Sequence, residues 1–67
     1  MRWISVRDRM PADQEWALIY CEGYMLIAKN VGNVFYLNGY SYDPGDEYWD
    51  VTHWIEIGDI PKPESKQ

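Results

Sequence analysis

Glycine-bearing turns cut this 67-residue chain into apolar runs too short to be useful helices. The turn signals are Glu22-Gly23, Asn30-Val31-Gly32-Asn33, Asn38-Gly39 and Pro44-Gly45. Asn-Gly is a strong hairpin signal, because both central positions of a type I′ turn need positive φ. Between the turns lie residues 15–21, 24–29 and 34–37, all rich in aromatic and aliphatic side chains. No apolar pattern holds the 3.6-residue helical period for long. In 15–21, alternation puts Trp16, Leu18 and Tyr20 on one strand face and Ala17, Ile19 and Cys21 on the other. Both faces are apolar, which suits a central strand.

The pattern predicts an all-β domain over residues 2–61, with at most a single helical turn near 11–15. The expected architecture is a small twisted antiparallel meander of three to five strands, able to close into a small SH3-like barrel. Residues 15–21 and 24–29 form its first hairpin, 34–37 follows, and residues 40–42 can extend a further hairpin after Asn38-Gly39. Residues 51–57 make the last strand, ended by Gly58. The opening run, residues 3–6, is extended and can pair beside that last strand. Residues 62–67 are expected to be a flexible tail, and Ile60-Pro61-Lys62-Pro63 to lie extended.

So short a domain buries only about 60% of the surface of its unfolded chain, so its core is thin. Four Trp, six Tyr and one Phe supply the bulk such a core needs. Trp3, Trp16 and Trp54 sit in apolar strand contexts and are expected in the core. Eleven acidic residues against six basic ones give a formal net charge of −5. Duplex nucleic acid and anionic membrane are poor partners for that balance, since both are bound by Lys and Arg. Cys21 is the one cysteine. It allows no internal disulfide and no multi-cysteine zinc site. The start of the chain lacks a signal-peptide apolar stretch, and residues 16–21 are too short to span a bilayer. A cytoplasmic chain is the expectation, with homodimerisation as a further source of stability.

Three constellations bear on function. His53 is the one histidine and the one side chain whose ordinary pKa lies near neutrality. On a regular strand Asp50 and Thr52 share one face and His53 takes the other, so no triad assembles. A packed His53 that bonds a backbone group is the simpler reading, a binding or acid–base role the other. Asp43, Asp46, Glu47 and Asp50 crowd one loop without the alternating spacing of a calcium loop. They read as a solvated loop or as a patch that meets a basic protein surface. Tyr40, Tyr42, Tyr48 and Trp49 share that loop, and such residues either cap an open core end or anchor an interface. No metal, cofactor or catalytic residue is expected.

The strings Trp3-Ile4-Ser5-Val6, Arg7-x-Arg9-Met10-Pro11, Trp16-Ala17-Leu18-Ile19-Tyr20 and Val51-Thr52-His53-Trp54-Ile55 resemble the small phage and prophage proteins classed as domain of unknown function 551. Met10 stands where that family usually has Leu, and Ile55-Glu56-Ile57-Gly58 departs from its Met-Pro-Leu-Pro. The resemblance implies a phage or prophage source and no activity. The functional expectation is a non-enzymatic binding protein that occupies a host or phage protein, such as an inhibitor of a host defence protein. The alternative is a homo-oligomer that sequesters a nucleotide-like small molecule between aromatic side chains.

Overall fold

Three two-residue turns set the register of the sheet. Glu22-Gly23, Gly32-Asn33 and Asn38-Gly39 all have positive φ at both positions, the type I′ combination that matches the right-handed twist of paired strands. The computed structural model describes residues 2–59. Its strands are β1 (Ile4–Ser5), β2 (Trp16–Cys21), β3 (Tyr24–Val31), β4 (Val34–Leu37), β5 (Tyr40–Tyr42) and β6 (Val51–Glu56), followed by a 3-10 turn at Ile57–Asp59. They form one antiparallel sheet in the order β1-β6-β2-β3-β4-β5.

The all-β expectation holds, and so does the pairing of the opening run with the last strand: Ile4 faces Trp54 and Ser5 faces His53. The sheet has six strands and stays open, because β1 and β5 are its two edges and do not pair with each other. No barrel forms. β3 also runs further than the 24–29 that the sequence pattern predicts. Asn30 and Val31 pair with Phe35 and Val34, so the turn is Gly32-Asn33 alone, the shortest loop a hairpin accepts. The last strand is one residue shorter than expected, since Ile57 enters the 3-10 turn. Residues 11–15 hold a turn, with Glu15 N–H donating to Ala12 O at 3.1 Å, and no helix. The tail at 62–67 and the segment at 60–63 lie outside the described residues. Among the described residues no helix is long and apolar enough to cross a membrane.

The core lies on one face of the sheet. Ala17, Ile19, Cys21, Ala28, Phe35, Val51 and Trp54 are buried together, with Ile4, Val6, Met10, Leu26, Leu37 and Tyr42 packed against them. Residues 6–15 cover this face and are tied to it by hydrogen bonds along their length. Trp54 Nε1–H donates to Arg9 O at 2.8 Å, Asn30 Nδ2–H to Pro11 O at 2.8 Å, and Gly32 N–H to Asp13 Oδ1 at 2.7 Å. The Gly32 N–H, with help from the Gln14 side chain, holds the Asp13 carboxyl below its ordinary value.

The other face is a correction to the sequence reading. Trp3 and Trp16, expected in the core, are exposed there with Tyr20, Met25, Ile27 and Tyr36. The register puts them together: Tyr20 opposes Met25, Leu18 opposes Ile27, and Lys29 lies between Trp16 and Tyr36. Trp3 packs edge-on against Tyr20 at 5.9 Å. Alternation identifies two apolar faces on β2 but says nothing of what covers each of them. Among the described residues only one is covered.

Glu22 occupies a left-handed position (φ 50°) that favours Asn or Gly. Glu22→Asn should therefore stabilise the chain by about 0.5–1 kcal/mol. The check is thermal unfolding, where a domain of this size should gain roughly 2–8 °C. An unchanged or lower Tm would show that the turn carries no such strain.

Candidate functional site

The loop between β5 and β6 is built by its own carboxylates. Asp46 Oδ2 accepts from Tyr48 N–H at 2.9 Å and Trp49 N–H at 2.7 Å. Asp50 Oδ1 accepts from Gly45 N–H at 2.6 Å across the Pro44-Gly45 turn, where Gly45 has φ 85°. Asp43 O closes the base of the loop, accepting from Asp46 N–H and Val51 N–H. Two of the four acidic residues are thus structural, and Asp43 and Glu47 remain exposed.

This framework holds aromatic rings in defined places. Half-buried Tyr42 meets Trp49 edge-on at 6.4 Å, and Trp49 leans on Tyr24 at 5.9 Å. Tyr48 and Tyr40 stand out into solvent at 74% and 70% exposure. Tyr24 was not among the residues singled out from sequence. The signal for it was the register: Val51 opposes Cys21, and Cys21 opposes Tyr24 across the first turn. The start of β6 therefore brings the loop to the end of the sheet where Tyr24 sits.

The Trp49 and Tyr48 N–H groups hold the Asp46 carboxyl below its ordinary value. A depressed carboxyl stabilises the folded loop above the unfolded pKa, about 3.9, and that contribution is lost as pH falls through the lower folded value. The Tyr48 and Trp49 amide resonances should hold from pH 7 down to that region and move below it. In Asp46→Ala they should already exchange quickly at pH 7. Slow exchange in that variant would mean that the loop is held by something else.

His53 stands where two concavities meet. Cys21 opposes Val51 while Tyr20 opposes His53, so Thr52 is an extra residue, a β-bulge in β6. A bulge breaks strict alternation. Thr52 and His53 therefore do not take opposite sides as the regular pattern requires, and His53 Nδ1 lies 2.9 Å from Thr52 Oγ1. His53 is exposed and bonds this hydroxyl, in place of the backbone partner expected of a packed histidine. On one side it lines a concavity of about 190 Å³ with Trp3 and Tyr20. On the other it borders a cleft of about 470 Å³ with Ser5 and Arg7 from the β1 side, and Pro44, Gly45 and Asp50 from the loop. Asp50 and His53 thus share a cleft, and Tyr42, Tyr48 and Trp49 share the loop framework. Tyr40 lies on β5 opposite Leu37 and takes part in neither of the Trp49 ring pairs.

The model of a family described as a protein of unknown function (DUF551) matches residues 2–63. The chain belongs to this family. No curated protein and no solved structure matches it. The loop and both concavities lie within the matched span.

The chemistry open to this DUF551 domain follows from where its reactive groups sit. Burial, with the carboxylates of Glu22, Asp50 and Asp46, pushes the Cys21 thiol up, which suppresses the thiolate form. Among the described residues no three of His, Cys, Asp and Glu come together as metal ligands. Two of the basic residues lie on opposite sides of the sheet. Arg9 lies over the Trp54 ring at 5.2 Å on the covered side, whereas Lys29 is on the open face. Among the described residues, Arg9 and Lys29 are thus kept apart, and the loop offers rings and carboxylates for contact.

Proposed function

We propose that this chain is a non-enzymatic binding protein that acts through the loop at 43–50 and the aromatic side chains beside it. One observation carries the reading. Asp46 and Asp50 each commit a carboxylate oxygen to the loop's own N–H groups, so the backbone that carries Tyr48 and Trp49 is held in place before any partner arrives. A surface ordered in advance loses less freedom on binding, and Tyr and Trp are the residues on which interfaces most depend. Exposed Asp43 and Glu47, on a chain of net charge −5, favour a partner with a basic surface. A phage or prophage protein that occupies a host defence protein is the setting we favour; the family resemblance, and not the geometry, suggests it.

The test is capture of partners from bacterial lysate on the immobilised chain at low and moderate salt. A basic protein retained by the wild type, weakened by salt, and lost with Tyr48→Ser plus Glu47→Lys is the expected result. Retention of no partner at either salt concentration would overturn the reading.

A second reading is favoured by the concavity of Trp3, Tyr20 and His53. Its walls suit one flat ring, such as a nucleobase. Lys29 is the one lysine or arginine on the strands of that face, so the ring and not a phosphate would supply the affinity. Thermal shift against a panel of nucleobases, nucleosides and nucleotides decides it, and no shift with any of them removes it.

A further inference from the structure

The open face of the sheet carries a feature that the loop does not explain. Trp3, Trp16, Tyr20, Met25, Ile27 and Tyr36 are each between 37% and 59% exposed and lie on one side. With the roughly 150–250 Å² that a large side chain can bury, those fractions amount to about 500 Å² of apolar surface, at the upper end of what monomers usually show. Ile55, opposite Leu18 on the same side, is already buried. The one carboxylate on any strand is Glu56, and its register partner Ala17 places it on the covered face. In a chain with eleven acidic residues, the strands keep this face free of them.

We propose that this face is the contact surface of a homodimer, and that its occupant is a second copy of the chain. Three arguments select a copy over another partner. Domains are built of two packed layers, and the described residues supply one sheet with loops over one side only. Chains below about 70–80 residues commonly complete their core by association. Charge then decides which surface a copy can use. Two chains of −5 repel, and contact through the loop would set Asp43 and Glu47 against carboxylates of the other copy. The open face meets its own copy without that cost, because no strand carboxylate lies on it. Its polar groups are few, as in the homodimer interfaces that resemble a core cut in half. Ser5, Ser41 and His53 border the face and Lys29 lies within it between Trp16 and Tyr36, so about 500 Å² of apolar surface supplies the larger part of the roughly 800 Å² per partner of a stable interface.

The proposal stands apart from the loop's role, since the loop and this face use different residues. The full chain should sediment at twice its 8.0 kDa mass. Ile27→Lys places a charge in the middle of the patch but leaves the monomer fold free to hold it in solvent. It should weaken association at least about 100-fold and sediment as a monomer with an unchanged far-ultraviolet circular dichroism spectrum. If that variant fails to fold, Met25→Lys at the neighbouring position gives the same reading. Tyr48→Ser, in the loop, should remain dimeric while losing captured partners, which separates failure here from failure of the proposed function. A wild type that is monomeric up to about 200 µM, weaker than the association such an area supports, would overturn the proposal. So would a dimer indifferent to both lysine variants, which would place the contact elsewhere. Co-sedimentation of a monomeric chain with phosphatidylcholine vesicles would also overturn it, in favour of a lipid surface.

Discussion

Trp54→Ala is expected to cost the fold more than any other single truncation of the core. Trp54 is 1% exposed and lies between Ile19 and Ile4 in the ladder. It is the largest side chain in the buried set. Removing a buried aromatic costs about 3–5 kcal/mol, a large share of the roughly 3–10 kcal/mol that a domain of this length has to lose. The indole also fixes the cover: its N–H holds Arg9 O at 2.8 Å and the Arg9 guanidinium lies over the ring. Trp54→Phe keeps most of the ring and breaks the hydrogen bond, so it should cost about 1–3 kcal/mol. Urea unfolding followed by circular dichroism separates the two. A Trp54→Ala chain with a near-native midpoint would show that the cover is not anchored through this ring. Trp16→Ala, on the open face, should cost the isolated monomer far less, and any larger loss should grow with protein concentration.

The contrast between Trp54 and Trp16 marks where the sequence was legible. Turn chemistry could be read directly, because Glu22-Gly23 and Asn38-Gly39 state a backbone requirement that two residues satisfy by themselves. The β1–β6 pairing was legible because two aromatic strand segments at opposite ends of a thin core have few other places to go. Trp3, Trp16 and Trp54 looked equivalent, since alternation assigns faces but not covers. What separates them is the path of residues 6–15, set by hydrogen bonds from Asn30 and Trp54 rather than by any local pattern. The loop from Tyr40 to Asp50 was legible as a surface with aromatic members. The use of Asp46 and Asp50 as internal acceptors was not, since a cluster of acids reads as a solvated run until the backbone closes on it. The pairing of His53 with Thr52 was hidden for another reason: one inserted residue reverses which side chains share a side, and alternation presumes no insertion.

Asn30 was read as a turn residue, and its role yields the second large effect. It is the one polar residue in the buried set, at 1% exposure. Its Nδ2 donates to Pro11 O at 2.8 Å and Ala12 O at 3.4 Å, its backbone N–H to Glu15 O, and its O accepts from Gln14 N–H. These bonds hold Gln14 at φ 72°, which a non-glycine residue adopts only under constraint. Two carbonyl oxygens face Nδ2, which fixes the amide orientation and leaves Oδ1 buried with no hydrogen-bond partner among the described residues. Asn30→Asp keeps the shape and reverses the chemistry. A carboxylate has no proton for Pro11 O, and burial beside two carbonyls raises its folded pKa above the ordinary 3.9 or so. Between the unfolded and folded pKa values the native variant binds more protons than the unfolded chain, so stability falls as pH rises. It should be near its best below pH about 4, where the protonated acid can still donate to Pro11 O, and should lose about 3–5 kcal/mol by pH 7 as an unpaired buried charge. Asn30→Leu removes the orphaned oxygen but strips the donor from the same carbonyls, so its cost of about 1–3 kcal/mol should not vary with pH. Urea midpoints of the two variants at pH 4 and pH 7 make the comparison. Equal pH profiles would mean that residues 11–12 swing out to water and that Asn30 does not hold the cover on the core.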